Sequence, residues 1–180
     1  MKTPIRWAGS KKALLPILRT LWPGPEARYV EPFCGSARLY FDLAPPQAVL
    51  GDINEELISA YRELRSDFPR VVEGLRRFRP GKRSYYRLRE MDPKKMARSE
   101  RAARFLFLNR FCFNGIYRTN EAGKFNVPYG DPKHALSFNF DLLGEAAGLL
   151  RSATLINDDF EAVLEEADAG DFVYLDPPYA

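Results

Sequence analysis

Histidine is almost absent from the 180-residue chain, where His134 is the only one, and cysteine occurs twice, as Cys34 and Cys112. One histidine and two cysteines offer a metal ion little to bind, so no metal site is expected. Each cysteine sits in an apolar or aromatic stretch, and the default for such thiols is the reduced state of a cytoplasmic protein rather than a disulfide. Long apolar runs are missing as well. None approaches the ~20 residues of a membrane-spanning helix, and the opening Met-Lys-Thr-Pro lacks the apolar stretch of a secretory signal. No internal repeat or low-complexity segment interrupts the chain.

What is present is enough for a globular core, with 46% hydrophobic and 13% aromatic residues. The net charge of +3 conceals an asymmetry. Residues 76–110 hold thirteen Lys or Arg against Glu90, Asp92 and Glu100, a balance of +10 that leaves −7 for the remainder. A basic block beside Tyr85 and Tyr86 suits a polyanion surface, because phosphate neutralisation supplies affinity without regard to sequence. A solvated basic helix face would give the same charge count.

Four short apolar runs read as buried parallel strands: residues 28–33, 48–52, 153–157 and 171–176. Helical patterns follow them. Ser36 could cap a helix carrying Leu39, Tyr40 and Leu43, and Leu57, Ile58, Tyr61, Leu64 and Phe68 share a helical face. Pro16 fits the first position of an earlier helix. Strand and helix in alternation define an α/β fold with a parallel sheet. Some hundred residues separate the second and third runs, far more than one crossover needs. Residues 1–58 and 150–180 are therefore expected to form the α/β domain, and 59–149 an inserted, mostly helical recognition region.

Three motifs carry chemistry. Glu31-Pro32-Phe33-Cys34-Gly35-Ser36-Ala37 closes the first strand with a glycine that lets backbone approach a ligand at the strand ends. Asp52 ends the next strand, where a carboxylate can accept two hydrogen bonds from a ribose diol or cap a helix. Asp176-Pro177-Pro178-Tyr179 follows the last run. Two prolines fix the backbone and remove two donors, so the Asp176 carboxylate and a proline carbonyl present acceptors to one spot. That spot suits an exocyclic amino group, and Tyr179 supplies a flat face for a base.

Taken together, Trp7-Ala8-Gly9-Ser10-Lys11, the Glu-Pro-Phe-Cys-Gly segment, Asp52-Ile53-Asn54, the stretch Asn109–Gly130 and Asp-Pro-Pro-Tyr resemble the Dam-like (D12 class) DNA adenine-N6 methyltransferases, in the same order. The resemblance implies a Rossmann-like fold dependent on S-adenosyl-L-methionine, with strands ordered third, second, first, fourth. It implies cofactor contacts at Trp7, Lys11, Phe33, Gly35, Asp52, Ile53, Asp159, Phe160 and Asp176. Asp176, Pro177, Pro178 and Tyr179 would hold the target adenine. Phe113, Asn114, Ile116, Arg118, Asn120, Asn126 and Pro128 would face double-stranded DNA, with Phe113 as a wedge, Asn114 on the orphaned base and Arg118 bidentate on guanine. A core position for Phe113 is the competing reading.

The implied reaction is direct displacement of the methyl group by adenine N6 after base flipping, within GATC if the hairpin's likeness extends that far. Two departures stand out: the family's last motif-I glycine is Ala37 here, and the chain ends just past Tyr179, where the family continues. The expectation is thus a longer chain, a second chain that completes the sheet, or a non-catalytic DNA-binding remnant. An RNA adenine or cytosine-N4 methyltransferase is the remaining alternative. A restriction-modification system, a phage or a solitary enzyme would all suit.

Overall fold

Strands form where the apolar runs were read, and all of them pair in parallel. The structure is a computed structural model that describes residues 3–9, 11–131 and 137–177. Strand β1 spans Tyr29–Glu31, β2 Ala48–Gly51, β3 Ala153–Ile156 and β4 Phe172–Val173, in the order β3-β2-β1-β4. β1 and β2 are buried along their whole length, as expected for strands covered on two faces. Successive side chains point to opposite faces. Val30 and Val49 accordingly meet Val163 in a small cluster, while Tyr29 and Leu50 join the main core. The last run is shorter than the sequence suggested, with pairing limited to Tyr29↔Phe172 and Val30↔Val173.

The helices are α1 (Leu15–Leu21), α2 (Arg38–Leu43), α3 (Glu55–Ser66), α4 (Phe68–Arg77), α5 (Lys82–Glu90), α6 (Arg98–Phe111), α7 (Phe140–Leu149) and α8 (Phe160–Leu164). Asn54 caps α3 by accepting the Leu57 N–H at 3.1 Å, and Glu55 and Glu56 complement the helix dipole in the first turn. Three local expectations need correcting. Ser36 does not cap α2; Ala37 stands at the cap position in a left-handed conformation, φ 47°. Pro16 is the second rather than the first residue of α1. Phe68 belongs to α4, because the chain turns at Asp67 and Pro69 lacks the N–H that continuing α3 would need.

Helix α6 is the hub of the segment between β2 and β3 and is buried nearly all round, from Ala102 to Asn109 and again at Phe111. It packs against α3, α4 and α5. One continuous core joins the sheet residues Tyr29 and Leu50 to Phe107, Tyr85 and Phe125 of the segment between β2 and β3, and the expected 58/59 boundary falls inside α3. The Arg104 guanidinium, 2% exposed, donates to the carbonyls of Leu88 (2.8 Å) and Arg89 (3.1 Å) and to Glu56 (3.2 Å). Arg101 donates to Glu55 at 2.9 Å and Glu56 at 3.0 Å. The basic block therefore divides. Arg101 and Arg104 bind the insertion to α3, whereas Arg79, Lys82, Arg83, Arg87, Lys94, Lys95 and Arg98 are exposed.

Candidate active site

Parallel pairing places the C-terminal ends of all four strands on one edge of the sheet, which is where open α/β folds bind ligands. The loop after β1 is held there from two sides. Gly35 N–H donates to the Asp52 carboxylate at 3.0 Å, and the Tyr61 hydroxyl donates to the Gly35 carbonyl at 2.9 Å. Gly35 has φ +46°, and a Cβ built on it would lie 2.7 Å from the Trp7 ring. Only glycine lets the indole lie that close. The other Asp52 oxygen accepts the Asn54 N–H at 2.9 Å, so this carboxylate joins the loops after β1 and β2 while Asn54 does the capping. Burial pushes the Asp52 carboxyl up, and the two backbone donors oppose that rise.

Lys11 and Asp176 meet at 2.9 Å, bringing the N-terminal segment to the end of β4. Phe33 and Phe160 stack at 5.3 Å. Asp159 caps α8 by accepting the Ala162 N–H at 3.0 Å. Ile53 is 78% exposed, a large apolar side chain that nothing in the fold requires at the surface. A cavity of about 520 Å³ collects Trp7, Lys11, Phe33, Gly35, Asp52, Ile53, Asp159, Phe160, Asp176 and Pro177 around one space. Pro178 and Tyr179 lie outside the described residues.

Several of the cavity's lining residues had no role marked in the sequence. Glu31, 3% exposed, accepts a hydrogen bond from the Tyr29 hydroxyl at 2.9 Å. Burial pushes its carboxyl well above the usual carboxylate range; the Tyr29 hydrogen bond opposes this, and the charges of Asp176 and Asp52 add to it. Its signal was an acid ending a wholly apolar strand. Arg38, also lining the cavity, keeps a buried Nε with no hydrogen-bond partner among the described residues. No sequence pattern marked it.

The expected DNA-facing residues form a separate group on the excursion after α6. Antiparallel bridges Cys112↔Tyr129 and Thr119↔Phe125 make it a hairpin. Phe113 is 50% exposed, which removes the core alternative. Asn114 beside it adopts a left-handed conformation, φ 53°. Arg118 and Pro128 are exposed, and Arg118 Nε donates to Asn126 at 3.0 Å. Ile116 packs against the core. The exposed Asn120 uses its side-chain oxygen to accept the Lys124 N–H at 3.0 Å, which closes the hairpin tip.

A four-stranded parallel sheet flanked by helices, with a cavity at its strand ends, has the Rossmann-like methyltransferase architecture. The comparisons go further. The family model of D12 class N6 adenine-specific DNA methyltransferases matches residues 7–180, and the chain belongs to that family. It is 39% identical over 182 residues to the type II methyltransferase M1.LlaDCHI of Lactococcus lactis subsp. cremoris, covering 97% of this chain and 64% of the relative. Type II methyltransferase M.MjaIII of Methanocaldococcus jannaschii is 34% identical over 200 residues, covering 99% and 69%. The DNA adenine methylase of Escherichia coli K12 is 33% identical over 180 residues, covering 98% and 64%. The chain thus spans roughly two thirds of the length of these relatives. No helix among the described residues is long and apolar enough to cross a membrane.

Proposed function

We propose that the protein transfers a methyl group from S-adenosyl-L-methionine to adenine N6 in duplex DNA. The observation that carries this reading is the single cavity at the strand ends, to which Trp7, Gly35, Asp52, Asp159 and Asp176 all contribute. Its size lies within the roughly 300–1,000 Å³ of small-molecule sites. Its acceptors suit the cofactor's parts. Glu31, Asp52, Asp159 and Asp176 favour a cationic, diol-bearing ligand. When bound, the cofactor would supply a methyl carbon activated by its sulfonium; as the N6–CH3 bond forms, the S–CH3 bond breaks, the neutral thioether S-adenosylhomocysteine leaves, and N6 gives up one proton.

The chain's own groups do the rest. Adenine N6 is a poor nucleophile because its lone pair is delocalised into the ring. The Asp176 carboxylate and the Pro177 carbonyl accept its two N–H groups and favour a more tetrahedral nitrogen. Lys11 holds the Asp176 carboxylate in place. Fixing near-attack geometry can supply roughly 7–11 kcal/mol. Residues 59–149 act as the recognition region. Exposed cations on α5 and the 94–98 stretch meet phosphates, Phe113 fills the gap left by the flipped base, and Arg118 reads a guanine.

Incubation with labelled cofactor and duplexes with and without GATC, followed by nucleoside mass spectrometry, tests the proposal. N6-methyladenine is the expected product, and GATC is the first sequence to try. Product found only as N4-methylcytosine, or only on RNA, overturns it.

A further inference from the structure

The cofactor cavity shares a wall with a second one. About 710 Å³ of space lies between the start of α3, the segment after α5 and the hairpin, with Tyr117, Asn120, Lys124 and Asn126 among its lining. The wall is a pair of rings. Trp7, which lines the first cavity, stacks on Tyr117, which lines the second, at 5.7 Å and 18° between planes. Neither ring has slack. Trp7 lies close against Gly35 on the cofactor loop, and Tyr117 is packed by Phe105 of α6 at 5.7 Å and by Phe125 of the hairpin at 5.4 Å.

The residue before Trp7 is fixed in the same direction. Arg6 donates its backbone N–H to the Asn109 side-chain oxygen at 2.8 Å, and the Asn109 amide donates to the Arg6 carbonyl at 2.7 Å. Asn109 is 4% exposed. It offers one donor and one acceptor at the reach needed to satisfy both backbone groups of Arg6, a pairing that an ionised aspartate or a leucine in its place could not make. The Arg6 side chain also covers Gly115, where an added Cβ would meet it at 2.5 Å. A short N-terminal segment is therefore bound to the recognition region at Asn109, Gly115 and Tyr117, and to the cofactor side at Gly35 and Asp176.

Resting on the function proposed above, we propose that Asn109 and Tyr117 are positioning residues that couple cofactor binding to duplex binding. A cofactor that settles Trp7 settles Tyr117 and, through Phe125, the hairpin; a duplex that orders the hairpin prepares Trp7. Coupling of this kind is reciprocal: each ligand changes the other's affinity by one and the same factor.

Calorimetry of the full chain with S-adenosylhomocysteine, which cannot react, with and without a short duplex tests this, as does the reverse titration. In the unmodified protein each ligand should tighten the other by roughly fivefold or more, and Tyr117→Leu or Asn109→Ala should bring the factor below about twofold. Tyr117→Phe, which keeps the stack, should keep the coupling. Circular dichroism identifies any variant that does not fold, and Asn109→Ala and Tyr117→Leu reach the same link from different sides. Coupling that survives both changes, or variants that weaken both ligands with the factor intact, would overturn the inference. Two ligands binding independently to the unmodified protein sinks this inference alone, whereas failure to bind either one sinks the proposed function as well.

Discussion

Lys11 Nζ lies 2.9 Å from Asp176 Oδ1, and each side chain is about one fifth exposed. A charge-assisted contact in that half-buried setting fixes which way the Asp176 acceptors face. The pair links the N-terminal segment to the end of β4, where the amino group of the base would be held.

Replacing Lys11 should therefore slow the chemistry while the fold remains. Misplacement of a reacting group by about an ångström costs on the order of a hundredfold, and Lys11→Ala should lose roughly tenfold to a hundredfold in kcat, with Asp176→Asn losing more. Single-turnover methylation with circular dichroism as the folding check measures it. An unchanged rate for Lys11→Ala would remove the orienting role.

Gly35 and Ala37 share a left-handed backbone but should respond oppositely to exchange. Gly35→Ala adds about 1–2 kcal/mol of conformational strain and drives a methyl into the Trp7 ring, so cofactor affinity should fall by about tenfold or more. Ala37→Gly relieves strain of similar size at φ 47° but gives up a buried methyl worth about 0.8 kcal/mol. Its stability should stay within about 1 kcal/mol of the unmodified protein. Calorimetry and chemical denaturation report the two effects separately.

Glu56, 13% exposed, faces two arginines, of which Arg104 is buried at 2%. Truncating one partner of a buried pair leaves the other uncompensated, at a cost of about 3–5 kcal/mol. Glu56→Ala should shift the urea midpoint by that amount, whereas Glu73→Ala, which removes an exposed partner of Arg77 on α4, should cost less than about 1 kcal/mol. Equal costs would mean that the Arg104 network contributes little.

Glu31 sets a pH dependence. Burial holds its carboxyl well above the usual range, so folding favours its protonated form. The stability it contributes is complete below the ordinary carboxylate range and is lost as pH rises through the raised folded value. Melting temperature should fall over that interval, and Glu31→Gln should flatten the fall. A cationic ligand in the cavity should also expel the Glu31 proton, so calorimetry in two buffers of different ionisation enthalpy should report proton release. Absence of release in the Glu31→Gln variant assigns it.

The strands were legible because buried parallel strands are short, apolar and closed by turn residues, and Glu31, Asp52 and Asp176 end three of those runs. Once the strands are parallel, Asp52 and Asp176 must share one sheet edge, so much of the cavity followed from the sequence, and Glu31 lies on that same edge although no role was assigned to it. What stayed hidden depends on contacts between distant segments. The Arg6–Asn109 pairing joins residues 103 positions apart, and no local pattern marks Asn109 as the partner of a backbone segment. The basic block misled in part for the same reason: charge counts do not distinguish Arg104, enclosed with Glu56, from Lys82 in solvent. Ser36 failed as a cap because the left-handed turn continues through Ala37 before α2 begins.

The shared core bears on how recognition could be rewritten. Phe107, Tyr85 and Phe125 pack in the same cluster as Tyr29 and Leu50, so the described residues of 59–149 share their core with the sheet. Exchanging 59–149 wholesale between relatives would break the Arg104–Glu56 pairing and the Asn109–Arg6 bonds together, and such chimaeras should mostly aggregate. Changes at Phe113, Arg118 and Pro128, which are exposed, leave that packing intact. On the function proposed above, a search for altered target sequences should therefore begin with substitutions on the hairpin surface, which should leave the melting temperature of the core unchanged.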